Sequence, residues 1–85
     1  MFDSLTQRVV KVVAGVKNVA PESISPETTL EELGVDSLDA VSIVFDLESE
    51  FKIDIEADEA AAARTVADLV EGVRRLVGEP ADVAA

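Results

Sequence analysis

The chain has 85 residues, 7 basic and 18 acidic, a formal net charge of −11, and neither Cys nor His. One small domain with a thin core follows from that length, and the two missing residue types exclude disulfide staples, thiolate zinc sites and the usual general base. The charge excludes a nucleic-acid binder, which needs a basic face, and points to basic partner surfaces, while an apolar content of 48% excludes disorder. The field is uneven, since thirteen acidic residues lie between Asn18 and Ala63 with Lys52 the one basic residue among them. Met1-Phe2-Asp3-Ser4 has neither the basic start nor the apolar run of a secretory signal, and no stretch approaches the roughly 18 to 20 apolar residues of a spanning helix. The expectation is a cytoplasmic protein with no membrane partner.

Phe2, Leu5, Val9, Val12, Val13 and Val16 recur at three- and four-residue steps, predicting a first helix from Asp3 to Gly15 or Val16, with Ser4 and Gln7 at capping-box spacing. Its valines are mediocre helix formers, so packing must hold it. Asn18 to Val35, with Pro21 and Pro26, reads as a long connection pinned by Ile24, Leu30, Leu33 and Val35. Within it Thr29-Leu30-Glu31-Glu32 is a capping-box pattern that predicts a single turn stopped by Gly34.

The second helix is predicted over Ser37 to Glu50 behind Asp36 as N-cap. Ala40, Val44, Leu47 and Phe51 form one apolar line, read as the core face. Leu38, Val41 and Phe45 form another, which a thin core leaves as an exposed seam beside Asp39, Asp46 and Glu48, the alternative being that Phe45 folds inward and the seam is the edge of one wide buried face. Phe51-Lys52-Ile53-Asp54-Ile55-Glu56 alternates as a strand does, but no other segment offers it a partner, so it reads as an extended connection with Ile53 and Ile55 tucked in. A short third helix is predicted from Asp58 to Ala63 with Asp58 as its cap. A last helix, capped by Thr65 with Asp68, buries Val66, Leu69, Val70, Val73, Leu76 and Val77 up to Gly78. The predicted fold is all-α, a small four-helix bundle of three principal helices and a short third, with a long loop between helices one and two. Residues 1–77 form the domain, and 78–85 a flexible tail.

Ser37 is the residue whose placement carries chemistry, because it stands at the start of an acidic helix beside unpaired N–H groups and a positive dipole end. It has no His or Cys to take its proton, which argues against a serine nucleophile acting in its own enzyme. The carboxylates read as a solvated acidic face instead of an acid–base pair. Asp54, Glu56 and Asp58 alternate like the first ligands of an EF-hand. Glu59 and Thr65 then occupy the places where that loop needs Gly and Glu, so no dedicated metal site is expected. On spacing alone, Ser37 reads as an ordinary capping residue.

Leu33-Gly34-Val35-Asp36-Ser37-Leu38-Asp39 is far more specific than a lone capping serine, and it resembles the attachment motif of the acyl carrier protein family. Phe51-Lys52-Ile53-Asp54-Ile55, then Arg64-Thr65-Val66-Ala67-Asp68-Leu69, is similar to that family's passage into its third and fourth helices. The resemblance covers nearly all of the ordered chain and implies a discrete carrier, not an enzyme. It implies that Ser37 receives 4′-phosphopantetheine from coenzyme A through a carrier protein synthase (a phosphopantetheinyl transferase), that Asp36 assists the modifying enzyme, and that acyl groups travel as thioesters on the arm. It further implies docking to basic acyl-processing enzymes through Leu38, Asp39, Val41, Phe45, Asp46 and Glu48, by a monomer serving fatty acid or specialised lipid and polyketide synthesis. Ser42, Phe45, Lys52 and Ala57 stand where fatty-acid carriers commonly have Glu, Met, Gly and Pro, which leaves a housekeeping and a specialised pathway both open. The alternatives are a peptidyl or aryl carrier, disfavoured because Val35 replaces the second of the paired glycines usual there, or an unmodified acidic docking domain.

Overall fold

The computed structural model describes residues 4–78, so Phe2, the start of the first helix and the predicted tail from Glu79 lie outside the described residues. Four α-helices follow in order: α1 (Ser4–Lys17), α2 (Ser37–Phe51), α3 (Ala57–Ala62) and α4 (Val66–Val77). None of them is long and apolar enough to cross a membrane. The first connection, expected to be irregular from Asn18 to Val35, contains a 3₁₀ turn at Pro21–Ser23. Pro21 at its first position supplies the fixed φ and needs no N–H partner there.

The core is built by α1, α2 and α4. Val9 and Val13 of α1, Leu47 of α2, and Val66 and Val73 of α4 are its most enclosed large side chains. Ile24 enters from the loop at 3% exposure, and Leu30, Leu33, Val35, Ile53 and Ile55 close over the edges, so both irregular connections are pinned as their apolar residues predict.

Two findings revise the helical faces. In α2 the buried residues are Ile43 and Leu47, whereas Ala40, Val44 and Phe51 are half-buried beside them. Leu47 is buried as predicted, but its inward neighbour is Ile43 in place of Val44, because residues 43 and 44 are only 100° apart on a helix and both belong to plausible apolar lines. In α4, Val77 is 37% exposed and drops out of the core. The last turn of that helix ends at Gly78, at φ 77, whose N–H donates to the Arg74 and Arg75 carbonyls.

The predicted capping box of α4 is present, with Thr65 Oγ1 accepting from the Asp68 N–H at 3.2 Å and Asp68 Oδ2 accepting from the Thr65 N–H at 3.1 Å. α3 differs: it begins at Ala57 behind Glu56, whose side chain makes no capping bond, and Asp58 lies inside its first turn. A helix this short depends on packing more than on its own ends. Lys52 ends α2 in the left-handed region at φ 56, a conformation that glycine adopts without strain. Arg8 braces this corner, donating to Glu50 Oε2 at 2.9 Å and lying 4.4 Å over the Phe51 ring.

The orientation of α2 can be tested by truncation. Ile43→Ala should destabilise the fold by about 2 to 5 kcal/mol. Phe45→Ala, at a position 72% exposed, should fall within about 0.5 kcal/mol of the parent in the same denaturant titration.

Candidate functional site

The site is assembled by a turn that ends in time for a helix to begin. Thr29 and Glu32 form a reciprocal box, each side chain accepting the other's N–H at 3.0 Å. The turn closes when the Gly34 N–H donates to Glu31 O and the Val35 N–H to Leu30 O, both at 3.0 Å. Gly34 takes φ +75, which a side chain would strain, and this reversal delivers Asp36 in extended conformation to the head of α2. Asp36 Oδ1 accepts from the Asp39 N–H at 2.8 Å, and Asp39 Oδ2 accepts from the Asp36 N–H at 3.4 Å, completing a second box. Ser37 is the first residue of α2 and is exposed. Like any residues at this position, Ser37 and Leu38 have backbone N–H groups with no partner inside the helix.

A residue that the sequence reading did not single out belongs to this site. Lys17, the last residue of α1, reaches across with its ammonium, donating to Asp39 Oδ2 at 2.6 Å and to the Gly34 carbonyl at 3.0 Å. The pair is half-buried, with side chains 20% and 25% exposed. The Lys17 ammonium is the main reason that the Asp39 carboxyl titrates below its usual range; the Asp36 N–H adds to the effect and partial burial opposes it. A lone lysine at a helix end is too common to mark in a sequence, and only the crossing of two elements gives it a partner.

The expected seam is on the surface: Leu38 is 76% exposed, Val41 62% and Phe45 72%. An open, mainly apolar groove of about 380 Å³ runs from Ser37 past Val41 and Val44 to Phe45, with Ile55, Ala60 and Ala61 on its far wall. Between α2, α3 and α4 a partly open cavity offers only about 20 Å³, room for one water-sized sphere and no more. The carboxylates beside the seam are not equivalent. Asp46 is exposed, Asp39 is matched to Lys17, and Glu48 Oε2 accepts the Ile55 N–H at 2.8 Å, fixing the extended segment after α2. No group of three or more potential metal ligands occurs among the described residues.

A four-helix bundle that presents an exposed serine at the head of an acidic helix, beside an apolar groove, is the architecture of a carrier domain. The chain belongs to the acyl carrier protein family: the family model described as a phosphopantetheine attachment site matches residues 7–73. It is 38% identical over 73 residues to an acyl carrier protein of Rickettsia bellii, covering 85% of each chain. It is also 39% identical over 70 residues to a non-reducing polyketide synthase of Aspergillus terreus, where it spans 82% of this chain and 3% of that one. The crystal structure of an acyl carrier protein from Thermotoga maritima superposes with a TM-score of 0.66 at 28% identity, over 91% of this chain and 96% of that one. The protein is thus a phosphopantetheine-bearing carrier of fatty acid or polyketide synthesis and not an enzyme, and its role implies contact with a synthase and with acyl-processing enzymes.

Asp68 and Asp39 both titrate below the ordinary carboxylate value of 3.8, Asp68 because the Arg64 and Thr65 N–H groups bond its ionised form. Their contribution to stability is whole above that value and is lost as pH falls through the lowered folded-state values. The difference in melting temperature between the parent and Asp68→Asn should therefore be constant from pH 7 to 5 and shrink towards zero in stronger acid. A difference that grew on acidification would contradict the assignment.

Proposed function

We propose that Ser37 is the residue that carries the 4′-phosphopantetheine arm and that the exposed face of α2 is the surface its enzymes read. The observation that carries this is the exposed Ser37 at the first position of α2, at the mouth of the apolar groove. In the modification, Ser37 Oγ attacks the phosphorus adjoining the pantetheine of coenzyme A. The bond to adenosine bisphosphate breaks, and the hydroxyl proton leaves to a base of the transferase. The Ser37 and Leu38 N–H groups and the helix dipole suit the phosphodiester that results. Asp36, one residue before, assists through the magnesium ion of the modifying enzyme, which can bridge carboxylate and phosphate. Once attached, the arm supplies a thiol for thioester chemistry, so a chain without Cys needs no sulfur of its own.

Leu38, Val41 and Phe45 are the apolar contact, and Asp39, Asp46 and Glu48 the acidic side of it. The net charge of −11 steers basic enzyme surfaces towards α2 and keeps copies of the carrier apart, in keeping with a monomer. Ser42 and Phe45 favour a specialised lipid or polyketide pathway: Ser42 is exposed on α2 where a carboxylate would pair with a partner's Arg or Lys, and a Phe ring adapts less than a flexible Met.

Intact mass after incubation with coenzyme A and a promiscuous phosphopantetheinyl transferase tests the attachment. One arm should be added to the parent and none to Ser37→Ala; no increment on the parent would turn the assignment towards an unmodified docking domain. For the surface, Phe45→Ala should raise the transferase KM by about tenfold, the equivalent of losing roughly half the contact of a buried Phe. Helicity should be unchanged, and the association rate of the parent should fall steeply with salt.

A further inference from the structure

We propose that Lys17 is a positioning residue for the modified serine, acting from α1 through the two backbone segments that flank Ser37. The inference rests on Ser37 as the attachment site and adds to that reading a residue distant in sequence. One ammonium holds both sides of the serine, through the Gly34 carbonyl three residues before it and the Asp39 carboxylate two residues after it. Gly34 is where the chain reverses, at φ +75, and Asp39 is the third residue of α2 and half of its capping box. A shift at either anchor rotates Asp36 and with it the first turn of α2. The Lys17–Asp39 contact is half-buried, which protects it from the screening that makes surface ion pairs weak. Lys17 also sits at the C-terminal, electronegative end of α1, the end that favours a cation.

The clamp has an electrostatic consequence at the serine. A phosphodiester on Ser37 is an anion set beside Asp36 and Asp39. Lys17 offsets one of those carboxylates in advance, so the arriving phosphate faces the N–H groups of the helix start with less repulsion. The same pairing means that Asp39 presents a partner with a carboxylate already satisfied from within the fold.

Positioning and mere stability separate in transferase kinetics. A carrier that is only partly unfolded raises the apparent KM, because fewer molecules compete for the enzyme, and leaves kcat intact at saturation. A misplaced serine lowers kcat. Lys17→Met keeps the length and apolar stem while removing the ammonium, and circular dichroism melts fix its folded fraction at the assay temperature. We expect arm addition by a promiscuous transferase with coenzyme A to lose about tenfold in kcat, the scale of a small misplacement of a reacting group, with KM within about twofold of the parent. Asp39→Asn should lose less in kcat, since Lys17 keeps its bond to the Gly34 carbonyl. The kcat of the double variant should be no lower than that of Lys17→Met alone, because the ion pair is removed in both; any docking part of Asp39 shows in KM. Unchanged kcat in Lys17→Met, a change confined to KM, or losses that multiply in the double variant would each overturn the proposal. If Lys17→Met is unfolded at the assay temperature, Asp39→Asn decides by the same split between kcat and KM. Failure of the Ser37 assignment looks different, since the parent would then take up no arm or Ser37→Ala would still take one.

Discussion

The arrangement of this molecule depends on α2 having more apolar surface than so small a core can cover. Ile43 and Leu47 are drawn inside, and Leu38, Val41 and Phe45 are left out at exposures of 62% or more. With α1 and α4 occupying the inward side, Ile55 and the short α3 approach the remaining flank, and there they leave a groove in place of a contact. An exposed seam of this kind would favour association of like copies. The acidic residues around it counter that tendency, so the feature that makes α2 attractive to basic partners also keeps it apart from itself.

A thin core also explains how the irregular segments are held. The loop before α2 is stitched to the start of α4 by an isolated bridge between Thr29 and Thr65, with the Leu30 N–H donating to Arg64 O, Val66 N–H to Thr28 O and Ala67 N–H to Pro26 O at 2.9 to 3.0 Å. Thr29 and Thr65 each anchor a reciprocal box of their own, one for the turn that ends at Gly34 and one for α4. Short polar side chains thus satisfy backbone groups that a larger protein would satisfy by extending a helix or sheet. The positions of Gly34 and Asp36 are set by this stitching, and through them the position of Ser37.

Much of this was legible in the chain, and the division between what was and was not is physical. Both boxes flanking the site, Thr29 with Glu32 and Asp36 with Asp39, involve residues three apart, so local spacing reveals them; only the first pattern and the cap at Asp36 were read in advance. The family resemblance rested on contiguous motifs and agrees with the match over residues 7–73. The phase of α2 was harder, because Ile43 and Val44 are neighbours of equal apolarity and only the positions of α1 and α4 decide which turns inward. The start of α3 was misplaced because Asp58 looks like a cap, while the fold begins the helix behind Glu56 without one. Lys17 lies 22 residues from Asp39 and no local pattern links them.

The charge count needs the same distinction between sequence and fold. Thirteen carboxylates crowd the middle of the chain, yet several along α2 are committed: Asp36 caps the helix, Asp39 closes the box and pairs with Lys17, and Glu48, further along, holds the Ile55 N–H. Each still contributes to the long-range field, since a hydrogen-bonded carboxylate keeps its charge. At contact range their roles differ, because an enzyme's Arg approaching Asp39 must compete with an ammonium 2.6 Å away, whereas one approaching the exposed Asp46 need not. Steering and grip are therefore assigned to different residues of one helix: the summed charge speeds the encounter, while the satisfied carboxylates limit how tightly it ends, which suits a carrier that has to leave each enzyme with its load.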